Sequence, residues 1–266
     1  MGTIIEIAPT KGNGERFWLV IDRAEEPPLK LTVDQDVLLQ FRLKKGMAVD
    51  EALLREIIAA DGVKKAYQQA LYFLARRMRS EQEIIRHLRK KGVADAVAEQ
   101  VLKKLRAERY VDDEAFARAY VCTQKKAAKG PLLIRAELER LGVPTSLIEQ
   151  SLAEYSWEEQ LHGARALFEK AKRQRRAESA RAFSERIRQQ LGRKGFPHEV
   201  IAAVLEEGSG QTDEQEWEAL VVQAEKAHRR YAQHPRPLYE QKMRQALYRK
   251  GFSLPLIDEW LRSRDG

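Results

Sequence analysis

The pattern of Leu88-Arg89-Lys90-Lys91-Gly92-Val93, a leucine, three residues, a glycine and a hydrophobic residue, followed by Val97, Val101 and Leu102, returns three more times along this 266-residue chain. The echoes are Leu138 to Val143 with Leu147, Ile148 and Leu152, Leu191 to Phe196 with Val200, Ile201, Val204 and Leu205, and Leu247 to Phe252 with Leu256, Ile257, Trp260 and Leu261. Ile84, Ile134, Ile187 and Met243 stand eight positions before the four glycines, which are 50, 53 and 56 residues apart. Fixed inner spacing with drifting separation marks duplicated modules joined by variable loops. Apolar residues eight and four before each glycine lie on one face of a helix. Glycine ends that helix because it accepts left-handed backbone, and the basic residues before it suit the negative end of the helix dipole. Pro144 and Pro197 then open the next helix, where a missing amide hydrogen matters least.

A third helix precedes each pair. Its apolar residues are Ala70, Leu71, Leu74 and Met78 in the first module and Phe116, Ala117, Tyr120 and Val121 in the second. Ala164, Leu167 and Phe168 serve in the third module, and Trp217, Leu220, Val221 and Ala224 in the fourth. The prediction is mainly α: tandem three-helix repeats in an elongated curved array, at residues 63–111, 112–157, 158–208 and 213–266. Each is marginal alone and stabilised by stacking.

The front of the chain reads differently. Thr3 to Ile7 and Leu29, Leu31 and Val33 alternate as strands, and Phe17 to Ile21 is a short apolar run. Lys11-Gly12-Asn13-Gly14 reads as a turn between strands, without the following Lys-Ser or Lys-Thr of a phosphate loop. The Pro27-Pro28 pair reads as a break before the third strand. Asp34 or Asp36 is expected to cap a short helix through Val37, Leu38 and Phe41, and Asp50 a second one through Leu53 and Ile57, interrupted at Asp61-Gly62. Residues 1–62 therefore read as a small βββαα cap on the first repeat, whose opening helix is expected from about Val63 to Met78.

Charge is unevenly placed. The formal net charge is +8, and residues 162–195 alone hold eleven basic against three acidic residues. Residues 76–91 hold seven against two, whereas residues 1–69 hold ten against eleven. Basic charge concentrated in the helical modules suits a polyanionic partner, the plainer reading being solvated helix faces. No apolar run approaches the length of a membrane span and no signal pattern opens the chain, so a soluble cytoplasmic protein is expected. Cys122, the sole cysteine, allows no internal disulfide and reads as a small buried side chain beside Val121.

Catalytic patterns are sparse. His87, His162, His198, His228 and His234 are scattered without metal-ligand spacing. Asp112-Asp113 stands where the first helix of the second module starts and reads as a cap rather than a catalytic pair, and Ser80 with Glu83 reads as a capping box. The chain is expected not to be an enzyme.

Taken in order, these residues resemble the RecX regulatory family. The resemblance is carried by Ala70-Leu71 with Leu74 and Arg77, by Ser80-Glu81 and Leu88 to Val93, and by Val101-Leu102 with Leu105. It continues through Tyr110-Val111-Asp112-Asp113, Phe116-Ala117, Lys129-Gly130, Ile134, Leu138 and Leu141-Gly142-Val143. It is close over residues 70 to about 155 and looser beyond, and the fourth module exceeds the three repeats of shorter members. The front cap looks like the amino-terminal extension of longer ones.

The resemblance implies a protein that lodges in the groove of a RecA recombinase filament on single-stranded DNA and modulates it, usually negatively. It implies no cofactor of its own and no small-molecule substrate, and a monomer is expected. Contact with the DNA or the filament is expected at Arg76, Arg77, Arg79, Arg86, Arg89, Lys90 and Lys91 in the first module and at Lys129 in the second. In the third it is expected at Arg165, Lys170, Lys172, Arg173, Arg175, Arg176, Arg188, Arg193 and Lys194. Two other classes fit the same basic modules, a DNA-binding transcription regulator with one exposed recognition helix and a scaffold for an acidic protein.

Overall fold

A computed structural model describes residues 1–11, 15–23, 26–175, 177–208 and 213–264. The turn expected at Gly12-Asn13-Gly14 and the candidate Arg176 fall outside them. The chain forms two compact units, Met1–Phe116 with Leu141–Val143, and Ala117–Arg140 with Pro144–Gly266.

The first unit opens with strands β1 (Gly2–Pro9), β2 (Arg16–Arg23) and β3 (Glu26–Asp34). Helix α1 (Gln35–Gln40) follows, and the sequence reading missed a two-residue strand β4 (Ala48–Val49). The sheet is antiparallel in the order β3-β2-β1-β4. Pro27 and Pro28 lie inside β3 rather than before it, opposite a register shift between Ile21 and Arg23. An edge strand tolerates them because one of its sides needs no amide donors. Ile4, Leu19, Ile21 and Val33 meet Val37, Val49 and Ile57 in a buried core.

Helix α2 (Glu51–Leu74) is continuous for 24 residues, capped by Asp50 through the Leu53 amide at 2.8 Å. The expected interruption at Asp61-Gly62 does not occur, so one helix runs from the cap into the first module. Tertiary partners decide this. The Asp61 carboxylate accepts from Arg16 at 2.9 Å and from the Asp34 amide at 2.8 Å, while Gly62 costs only about 1 kcal/mol in a helix. At its far end α2 stops at Leu74, four residues short of Met78, which is 51% exposed and takes no place on the core face. The backbone must straighten there so that Ser80, at φ −72° and ψ 157°, can cap the next helix.

Helices α3 (Glu81–Lys90) and α4 (Asp95–Ala107) complete the first set of three around Ala70, Ile84, Leu88, Val101 and Leu102, all buried. Helix α5 (Asp113–Lys126) follows, then α6 (Pro131–Leu141) and α7 (Thr145–Ala153). The third set is α8 (Trp157–Arg173), α9 (Ala180–Arg193) and α10 (His198–Gly208), with Ile187, Leu191, Phe196, Val200 and Val204 in its core. The fourth is α11 (Asp213–Tyr231), α12 (Arg236–Arg249) and α13 (Leu254–Ser263), around Met243, Leu247, Phe252, Ile257 and Trp260. Cys122 is exposed rather than buried, because one residue along a helix turns the side chain about 100° away from the buried Val121.

All four glycines end their helices in the left-handed region, at φ +81° for Gly92, +86° for Gly142, +82° for Gly195 and +91° for Gly251. Three of them do more than turn the chain. Gly142 faces Gln82 at the start of α3, Gly195 faces the backbone of Leu133 at the start of α6, and Gly251 faces Ser179 and Ala182 at the start of α9, each too closely for a Cβ. Gly92 faces open space. The carbonyl just before each packed glycine accepts a hydrogen bond from the start of that helix. Ser80 Oγ donates to Leu141, the Gly130 amide to Lys194 and Ser179 Oγ to Lys250, each at 2.7 Å. The elbow of one module is thus seated on the middle helix of the module before it.

Candidate nucleic-acid interface

Helix α2 buries Ala66 and Ala70 and turns a polar stripe outward. Lys65, Gln68, Gln69 and Tyr72 recur at the three- and four-residue spacing that aligns side chains, and Arg76 follows in the turn beyond. Tyr72 is 73% exposed, with the Arg76 guanidinium 5.8 Å from its ring centre. Arg79 lies 4.0 Å over the Phe73 ring and donates to Glu83 at 3.1 Å. His87 stacks on Phe73 with ring centres 4.0 Å apart. Burial, then the charges of Lys91, Arg79 and Lys90, hold the His87 imidazolium below its ordinary range, so His87 stays neutral near pH 7 and the local charge comes from Lys and Arg.

These groups line an open cleft of about 670 Å³ together with Arg16 and Lys91. Its walls bring together five cations, Arg16, Lys65, Arg76, Arg79 and Lys91, and no carboxylate. Asp61 holds Arg16 and Lys65, each at 2.9 Å, and so fixes their positions. Of the expected contact residues only Arg76, Arg79 and Lys91 meet here. Arg16, Lys65, Gln68, Gln69, Tyr72, Phe73 and His87 were missed. The stripe on α2 could have been read from its spacing, whereas nothing local ties Arg16 to it.

The remaining expected residues divide by partner. Arg77 is bound to Glu83 at 2.7 Å and Arg89 to Asp95 at 2.6 Å, while Arg86 lies near the Gly142 elbow. Lys129 pairs with Glu137 at 2.6 Å, and the Tyr120 hydroxyl donates to that carboxylate at 2.9 Å. Arg165 pairs with Glu207 at 2.5 Å and Arg188 with Glu185 at 2.7 Å. Arg175 departs from its expected place on a binding face. It is half-buried, 4.7 Å over the buried Phe183 ring, and donates to the Glu178 carbonyl at 2.6 Å. Lys194 is half-buried at the Gly195 elbow. Lys90, Lys170, Lys172, Arg173 and Arg193 are exposed, and none has an acidic partner among the described residues.

The acidic pair works as structure. Asp112 caps α5 through the Ala115 amide at 3.0 Å, and Asp113 accepts from the Glu81 amide at 2.9 Å. No helix among the described residues is long and apolar enough to cross a membrane.

Three family models match the chain. The first three-helix domain of RecX covers residues 66–105, the second 112–152 and the third 213–261. Helices α11 to α13 therefore match the family's third domain, and α8 to α10, with the most basic stretch, lie between the second and third matches. Regulatory protein RecX of Geobacillus thermodenitrificans is 75% identical over 266 residues, spanning 100% of this chain and 99% of the relative. That of Geobacillus kaustophilus is 74% identical over 98% of both chains. A crystal structure of regulatory protein RecX superimposes with a TM-score of 0.64 at 31% identity, over 77% of this chain and 100% of that one. RecX from Lactobacillus salivarius gives 0.53 at 28% identity, over 56% of this chain and 97% of that one. With near-complete coverage at such identity, and with three of its four glycine elbows, Gly92, Gly142 and Gly251, inside the matched domains, this chain belongs to the RecX family of regulatory proteins.

Proposed function

We propose that this chain binds a RecA recombinase filament assembled on single-stranded DNA and restrains it, lowering ATP hydrolysis, strand exchange and co-protease activity. The observation that carries the reading is the set of exposed cations with no acidic partner among the described residues. They include Arg76, Lys90 and Lys91 in the first unit and Lys170, Lys172, Arg173 and Arg193 in the second. A paired cation such as Arg165 must give up a carboxylate to take a phosphate, whereas an unpaired one gains the full release of DNA counterions. Repeated modules also suit a partner that itself repeats, and family membership supports a regulatory role.

The test is RecA ATPase on single-stranded DNA, titrated with this protein at several salt concentrations. A graded fall in rate with shortened filament lifetime is expected. A rate and lifetime that do not move at saturating protein would overturn the proposal.

A further inference from the structure

The cleft in the first unit has more chemistry than a patch of surface charge. Three other clefts among the described residues mix signs. The one at the start of β1 includes Glu26, Asp50 and Glu51, the one beside α12 includes Glu240, and the one beside α11 includes Glu178 and Glu218. Here five cations meet no acid on the wall. Two of them are also incompletely satisfied. Arg16 Nη1 and Arg79 Nε are buried without a hydrogen-bond partner, two of only four such side-chain atoms among the described residues. Buried donors of a charged group are ordinarily paired, so the guanidinium groups of two residues that line this cleft are each short of one acceptor. Asp61 and Glu83 already hold these two arginines, so their orientation is set before any ligand arrives.

The second half of the chemistry is aromatic. Tyr72 keeps 73% of its surface exposed at this site, between the amides of Gln68 and Gln69 and the guanidinium of Arg76. A large ring left in water beside oriented cations offers a face to a flat, phosphate-bearing ligand. We propose that this cleft binds a nucleoside phosphate, the phosphate against Arg16, Arg79 and Lys91 and the base against Tyr72. The source is one nucleotide unit of a single strand or a free nucleotide. The inference rests on the DNA half of the function proposed above and assigns it a place on the first unit.

The experiment is fluorescence anisotropy of the full chain, without RecA, on a labelled short oligothymidylate across a salt series. Tyr72→Leu is expected to weaken binding roughly 10-fold, within the range for one lost base stack, and to leave the salt slope unchanged. Arg76→Gln and Lys91→Gln should each flatten the slope by about 0.7. Lys45→Gln, an exposed cation outside the cleft, serves as the control.

Competition assigns the source. Displacement by dTTP but not by inorganic triphosphate marks a free nucleotide, and displacement by neither marks a unit within a strand. Equal displacement by inorganic triphosphate would overturn the proposal, because the ring would then play no part. Binding that Tyr72→Leu leaves intact while Lys170→Gln, Lys172→Gln and Arg173→Gln weaken it would overturn the cleft alone. A wild-type chain that binds no oligonucleotide would overturn both the cleft and the DNA half of the reading it rests on.

Discussion

The carboxylate of Asp113, in the first turn of α5, accepts the backbone amide of Glu81, in the first turn of α3, at 2.9 Å. Burial pushes the Asp113 carboxyl above its ordinary range. The Glu81 amide opposes this, the Glu81 carboxylate adds to it, and Arg106 and Asp112 make smaller opposing contributions. An acid whose folded value is raised stabilises the fold fully below its unfolded value, near ~4, and loses that contribution as pH rises through the folded value. Asp113→Asn, which keeps an acceptor and drops the charge, should therefore gain on the wild type as pH rises from acid to neutral. Asp113→Ala should cost about 1–2 kcal/mol at neutral pH, because the helix amide is left without a partner. Urea denaturation at acid and neutral pH distinguishes the two variants, and an Asn variant that weakens as pH rises would contradict the assignment.

The elbows predict a graded series. Gly92→Ala meets open space and carries only the left-handed backbone cost, roughly 1–2 kcal/mol. Gly195→Ala carries that cost and also drives a methyl group into the backbone of Leu133. Its loss should exceed ~4 kcal/mol, in the range where a single change is diagnostic of broken packing. Thermal melting of the two variants side by side is the check, and equal losses would remove the seating role.

Two capping serines make the same point without strain. Ser156 caps α8 through the Glu159 amide at 3.2 Å and is exposed, whereas Ser179 caps α9 at the same distance and also donates to Lys250. Ser156→Ala should cost about 1 kcal/mol and Ser179→Ala about 2 kcal/mol, the difference being one buried hydrogen bond. Denaturant midpoints measured at constant slope would separate them.

Arg175 and Arg173 stand two residues apart and should behave oppositely. Arg175→Ala removes the contact with Phe183 and the bond to the Glu178 carbonyl, so melting should fall while the salt slope of DNA binding holds. Arg173→Ala should leave melting within about 0.5 kcal/mol and flatten the slope by about 0.7. A slope that follows Arg175 instead would place that side chain on the binding face.

What was legible beforehand was local. The glycine elbows, the Ser80 and Glu83 capping box and the Asp50 cap are written within a few residues of one another and form as read, and so do the apolar ladders apart from Met78. What was missed depends on distant partners. Helix α2 passes through Asp61-Gly62 because Arg16, 45 residues away, occupies the Asp61 carboxylate. Charge count marked residues 162–195 as basic, yet Arg165 is matched by Glu207 across 42 residues of sequence. The cleft needed β2, α2 and α3 in place before Arg16, Tyr72 and Lys91 could be seen as one site.

The seating of Gly142, Gly195 and Gly251 has a consequence for how such a chain can vary. Each of the first three sets carries an elbow, its glycine turn, and a socket, the start of its middle helix at Ser80, Gly130 or Ser179. A set spliced between two others brings both halves of the fitting with it, so the joints on either side close as before. The corresponding position in the fourth set is Pro235, which has neither a hydroxyl nor an amide hydrogen to offer a carbonyl. The number of modules is thus free to change in the middle of the series.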